Sequence, residues 1–219
     1  SIQAAFHAIQ QPWQNAHLVS LHGRPLNGLR AQLRMNQRYA LLTDSQSHPV
    51  AIAKLLVDGG FEHSTIWICE NLGGEDQQIH RWQAADLCTE STAFHPLNVV
   101  IVKTAGSGLK LPEFPGIADA LFATGKSAGS GLITKRDVRL AILSRLRLSA
   151  GEVAWDIGAG CGSVAIELAR WTAQAQVYAL EKNPDRLHWC RQNQQSFGVL
   201  NNLQILQGGA PEICSELPD

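Results

Sequence analysis

The chain has 219 residues, 45% of them hydrophobic, enough for one large domain or two modest ones with proper cores. A formal net charge of −1 gives nucleic acid or an anionic membrane no general footing; no signal peptide is visible, and Lys54 interrupts the best apolar run well short of the ~20 residues of a membrane span. The five cysteines (Cys69, Cys88, Cys161, Cys190, Cys214) contain no C-x-x-C pair and the eight histidines no H-E-x-x-H, which excludes a recognisable disulfide or zinc framework and fits reduced thiols in a cytoplasmic protein.

The chain opens with helical spacing at Ile2, Ala5, Phe6 and Ile9. A strand is predicted at His17–Leu21, closed by the turn H-G-R-P at His22–Pro25, and a helix over Leu26–Arg34 that Gly28 weakens. Arg38–Thr43 reads as a second strand. Pro49–Val57 reads as a helix with proline in its first turn and Gly59-Gly60 at its end. Ser64–Glu70, rich in β-branched and aromatic residues, is a third strand. The polar turn E-N-L-G-G-E-D follows, then a hairpin return at Gln78–Gln83 and a last strand at Asn98–Lys103. Residues 1–103 thus form an alternating α/β unit.

S-L-H-G-R, A-L-L-T-D, E-N-L-G-G-E-D and H-P-L-N-V-V-I-V, in that order, resemble the C-terminal half of a tetrapyrrole methylase domain. The resemblance implies that the other half, with its own glycine-rich cofactor loop, would precede Ser1. By loose alignment it sets Thr43 beside that second cofactor site.

Residues 104–131 change composition, with glycines at 106, 108, 116, 125, 129 and 131 and with Pro112 and Pro115. They read as an interdomain linker holding a short helix at Ile117–Ala123. In L-I-T-K-R-D-V-R-L-A-I-L-S-R-L-R-L, Thr134 is the expected N-cap, with Asp137 completing a near capping box. Val138, Ala141, Ile142 and Leu146 share the expected apolar face. Lys135, Arg136, Arg139 and Arg147 fall off it, as a solvated cationic face or as attraction for a polycarboxylate substrate. Val153–Ile157 is then a strand, and Gly158, Gly160 and Gly162 form a tight turn into a helix at Ser163–Trp171. Such a turn lets a ligand approach the backbone and aims helix N–H groups at a negative charge. A strand at Gln176–Glu181 ends in a carboxylate placed to hold a ribose diol. A helix capped by Asn183 runs from Pro184 to Phe197, and Leu203–Gln207 is a third strand before G-G-A-P-E. Residues 132–219 are the first half of a doubly wound, Rossmann-like parallel sheet.

The third glycine comes one position earlier than in the dinucleotide pattern G-x-G-x-x-G, and D-I-G-A-G-C-G resembles the first motif of S-adenosylmethionine (SAM) methyltransferases. L-I-T-K-R-D-V-R, D-I-G-A-G-C-G-S, Y-A-L-E-K-N-P and G-G-A-P-E in register are similar to the second methyltransferase domain of the precorrin-6Y C5,15-methyltransferase (decarboxylating) family of cobalamin biosynthesis. That family fuses a tetrapyrrole methylase domain to such a domain, in the order seen here. The resemblance implies SAM as cofactor, with contacts at Thr134, Asp156, Gly158, Ala159, Gly160, Cys161, Gly162 and Glu181, and through the backbone of Ala210 beside the adenine. Relatives often carry an acid before that alanine, where this chain has Gly209. It implies C-methylation of a precorrin at carbons 5 and 15 with decarboxylation of an acetate side chain, a polycarboxylate corrinoid partner that Thr134 and Lys135 are nearest to touching, and no metal. It also implies later strands beyond Asp219, so 1–219 is expected to be an interior fragment, with room for a homo-oligomer. An NAD(P)-dependent oxidoreductase, disfavoured by the glycine spacing, and an inactive fragment that only binds or packs remain the alternatives.

Overall fold

Tyr39-Ala40-Leu41 and Val100-Ile101-Val102 are apolar without interruption, because the sheet they form is covered on both faces. The computed structural model describes residues 1–107, 112, 114–125 and 132–218; Gly108, Gly129 and Gly131 of the expected linker lie outside them. The chain divides into a unit Ser1–Lys110 and a unit Leu111–Asp219.

In the first unit, β1 (Ala16–Ser20), β2 (Arg38–Leu42), β3 (Thr65–Glu70), β4 (Gln78–Gln83) and β5 (Val99–Lys103) form one sheet in the order β1-β2-β5-β3-β4. β1 and β2 are parallel and the other pairs antiparallel. Side chains alternate across the pleat. Tyr39, Leu41, Val100 and Val102 therefore join one core with α2 (Pro49–Asp58) and α3 (Ala84–Leu87). Ala40, Ile101 and Cys69 face the other way, onto Ala5 and Phe6 of α1 (Ile2–Ala8). The segment expected as a helix at Leu26–Arg34 is a 3-10 helix over Leu26–Ala31.

The second unit has β6 (Val153–Ile157), β7 (Gln176–Glu181) and β8 (Leu203–Gln207), parallel and in that order. α5 (Ser163–Trp171) and α6 (Pro184–Phe197) make the crossovers and pack on the strands through Ala165, Ile166, Ala169, Val177, Ala179, Cys190 and Phe197. Asn183 caps α6, its Oδ1 accepting from the N–H of Asp185 at 2.9 Å and of Arg186 at 3.2 Å. Ile117 and Phe122, inside the expected linker, are buried in this same core. The short helix beside them is one 3-10 turn, Asp119–Leu121.

α4 (Arg136–Leu146) corrects the sequence reading twice. Lys135 holds the cap position with no side-chain cap bond, so Thr134 is not the N-cap and no capping box forms. The expected faces also shift: Val138 and Leu146 are more than half exposed and Arg139, expected on the solvated face, is fully buried, while Lys135, Arg136 and Arg147 are exposed as expected. The reason lies in charge pairing. Arg139 Nε donates to Glu167 Oε1 at 2.9 Å and its Nη1 to Asp119 Oδ1 at 2.7 Å. The guanidinium also donates to the carbonyls of Thr134 and Ile117 and lies 4.8 Å from the Phe122 ring centre. Glu167, equally buried, further accepts from the N–H of Gly116 (2.7 Å), the N–H of Ile117 (3.1 Å) and Trp171 Nε1 (3.0 Å). A buried ion pair persists only when its remaining donors and acceptors are met in this way.

Candidate functional site

The turn after β6 is held open by three fixed points. Leu180 O, near the tip of β7, accepts from the N–H groups of both Gly158 and Ala159 at 2.9 Å. Glu181 Oε2 accepts from Gly160 N–H at 2.9 Å and its Oε1 from Asn183 N–H at 2.8 Å. Asn193 Nδ2, from α6, donates to Cys161 O at 2.9 Å. Gly160 has φ +59° and Gly162 φ +79°, a left-handed conformation that side chains disfavour. The two differ in their surroundings. A Cβ at Gly160, as at Gly158, would meet nothing within 4 Å, whereas one at Gly162 would lie 2.4 Å from Cys190 Sγ. Gly162 is needed for packing and Gly160 for open space above the turn.

That space is a cleft of about 450 Å³ lined by Leu132, Ile133, Thr134, Gly158, Ala159, Gly160, Cys161, Ser163 and Arg186, within the size range of small-molecule sites. The N–H groups of Ser163 and Val164, in the first turn of α5, have no carbonyl partner within the helix. The third, on Ala165, donates to Asp156 Oδ2 at 3.0 Å. Asp156 thereby anchors the helix start from below. Burial pushes its carboxyl above the ordinary range, the Ala165 N–H pulls it down, and the nearby Glu181 charge adds to the rise. Burial likewise raises the thiol of Cys161, at the cleft wall, and that of Cys190 behind it, to about 12 for Cys190.

Of the residues singled out from sequence, Thr134, Gly158, Ala159, Gly160 and Cys161 line the cleft. Glu181 stands behind the turn, almost fully buried. Gly162 shapes the turn and Asp156 props the helix. Ala210 is exposed in the turn beyond β8 and is not among the lining residues. Lys135 points to Asp119, 3.7 Å away. Leu132, Ile133 and Arg186 were not singled out: the first two open the motif L-I-T-K-R-D-V-R as apolar residues with no chemistry of their own, and Arg186 sits in an ordinary helix start. A buried acid in the apolar run A-I-E-L-A would have signalled the Arg139 partnership that holds Thr134 in place.

In the first unit Thr43 borders a separate cleft of about 430 Å³ with His22, Asn71 and Asn98 among its walls. Its hydroxyl accepts from Asn98 N–H at 2.8 Å and donates to Pro96 O at 2.9 Å. Among the described residues no group of histidine, cysteine and carboxylate side chains could hold a metal ion, and no helix is long and apolar enough to cross a membrane.

Residues 127–219 match a family model described as a precorrin methyltransferase domain. A precorrin-6Y C(5,15)-methyltransferase [decarboxylating] from Sinorhizobium sp is 37% identical over all of this chain and 51% of its own length. A cobalt-precorrin-6B C(15)-methyltransferase (decarboxylating) from Salmonella typhimurium is 41% identical over 42% of this chain and 46% of its own. The crystal structure of precorrin-6y C5,15-methyltransferase from Geobacter metallireducens superposes on 50% of this chain and 55% of its own with TM-score 0.46 and 41% identity. The chain spans about half the length of the curated relatives it matches.

Proposed function

From the premise that this chain is a relative of the precorrin methyltransferases and carries their domain at residues 127–219, we propose that its second unit binds SAM and serves C-methylation of a precorrin. In the relatives' manner this would fall at carbons 5 and 15, with loss of carbon dioxide from an acetate side chain. The supporting observation is the open cradle above Gly158 and Gly160, with the start of α5 at one side and the buried Glu181 carboxylate holding the turn from behind. A Cβ at either glycine would project into that space.

The cofactor supplies a methyl group already activated by its sulfonium, so no protein nucleophile is required. The residues bind and orient. The first-turn N–H groups of α5 suit the carboxylate of the methionine end. Glu181 accepts one N–H at each oxygen, and the second lone pair of each oxygen remains for the ribose hydroxyls. Asp156 holds α5 in place through Ala165, and Arg139 holds the carbonyl of Thr134, in the 132–134 wall. Rate acceleration then comes from holding the acceptor carbon in line behind the methyl group and excluding water. Five free thiols, three of them buried, suit a reducing compartment such as the cytoplasm.

Calorimetric titration with S-adenosylhomocysteine tests this reading. The wild-type chain should bind it one to one. Glu181→Ala, which loses both the ribose acceptor and the Gly160 and Asn183 anchors, should bind about 100-fold more weakly. Equal affinity in the two would refute the assignment.

A further inference from the structure

Arg186 alone carries a charged side chain among the residues that line the cleft. It lies in the first turn of α6, where its backbone N–H is claimed by the Asn183 cap. Its side chain is exposed, and among the described residues its guanidinium has no carboxylate within ion-pair distance. Of the cations suggested by the sequence, Arg139 is buried against Glu167 and Asp119, Lys135 faces Asp119, and neither Arg136 nor Arg147 lines the cleft.

The cleft thus has an uneven electrostatic design. Its floor offers backbone N–H groups, with the buried Glu181 carboxylate just behind the turn, which suits a compact zwitterion carrying a diol. Its rim offers one planar, five-donor guanidinium free to take a carboxylate in a forked pair. A cofactor seated on the floor has its own carboxylate met by helix N–H groups. The rim cation is left for the second ligand.

We infer that Arg186 anchors a carboxylate of the methyl acceptor and sets its orientation over the cofactor, a specificity role that rests on the function proposed above. The acceptor class is accordingly a polycarboxylate, and a neutral or cationic acceptor is disfavoured.

The test uses the full chain saturated with S-adenosylhomocysteine and titrated with uroporphyrin, an octacarboxylate tetrapyrrole whose fluorescence reports binding. Arg186→Gln should weaken uroporphyrin about tenfold and flatten its dependence on salt. Arg186→Lys should recover part of the loss, since the charge returns without the fork. Affinity for S-adenosylhomocysteine, measured by calorimetry, should stay within about twofold in both variants. Unchanged uroporphyrin binding in Arg186→Gln overturns the inference. So does a parallel loss of cofactor affinity, which would give Arg186 to the cofactor. If wild type binds S-adenosylhomocysteine but not uroporphyrin, the inference falls and the cofactor reading stands. If it binds neither, the cofactor reading itself has failed.

Discussion

Replacing Arg139 by methionine keeps much of its volume and removes its charge. Glu167 would then be buried with three N–H donors, from Gly116, Ile117 and Trp171, and no counter-charge. Breaking a buried pair from one side costs about 3–5 kcal/mol. The three surviving donors argue against the top of that range, while the Thr134 and Ile117 carbonyls lose their partner and argue against the bottom. A loss of about 4 kcal/mol is therefore expected, set against roughly 5–15 kcal/mol for a unit of this size. Glu167→Gln in the same chain removes the orphaned charge and should restore about 2 kcal/mol, a coupling typical of residues in one network. Urea unfolding followed by circular dichroism measures the stability, and hydrogen exchange of peptides from α5 assigns the loss to the second unit. Arg139→Met within about 1 kcal/mol of wild type would refute the buried pair, as would a double variant no better than the sum of the singles.

The two glycines of the turn should behave differently. Gly160→Ala should cost only the left-handed backbone penalty of about 1–2 kcal/mol but fill the cradle and cut S-adenosylhomocysteine affinity sharply in calorimetry. Gly162→Ala adds a Cβ 2.4 Å from Cys190 Sγ and should lower the thermal midpoint well below that of Gly160→Ala; the reverse order would contradict the packing. For the thiols, brief alkylation of native protein at pH 8, read by mass spectrometry, should label Cys88 and Cys214 and spare Cys69, Cys161 and Cys190. Burial takes Cys69 to about 11 and Cys190 to about 12, which leaves about a thousandth or less as thiolate. For Asp156, whose carboxyl is raised mainly by burial, the folded state binds the proton more tightly than the unfolded one. Its contribution to stability is therefore greatest below the ordinary carboxylate range and is lost as pH rises through the raised value. Asp156→Asn, with an amide oxygen still accepting from Ala165, should flatten the stability profile there and be at least as stable at pH 7.

Much of the fold could be read from local pattern. β4, β7, β8, α5 and α6 begin and end where runs of apolar residues, Asn183-Pro184 and the glycines place them. The cradle was legible for the same reason: three alternating glycines after an apolar strand leave the backbone few other courses. What escaped was long-range. Helical periodicity scores arginine as polar, so Arg139 was set on the outside of α4, though an acid on an apolar stretch of helix 28 residues later demanded a cation. The packing of Ile117 and Phe122 into the second core was hidden because glycine and proline punctuate that stretch as they would a linker. Leu132, Ile133 and Arg186 converge on the cleft only through tertiary structure.

A crystal of the full chain soaked with S-adenosylhomocysteine and NADH together tests the central claim most directly. The account predicts S-adenosylhomocysteine in the cleft above Gly160, its ribose on Glu181 and its carboxylate at the start of α5. A nicotinamide dinucleotide in that place, or density for neither, would contradict it.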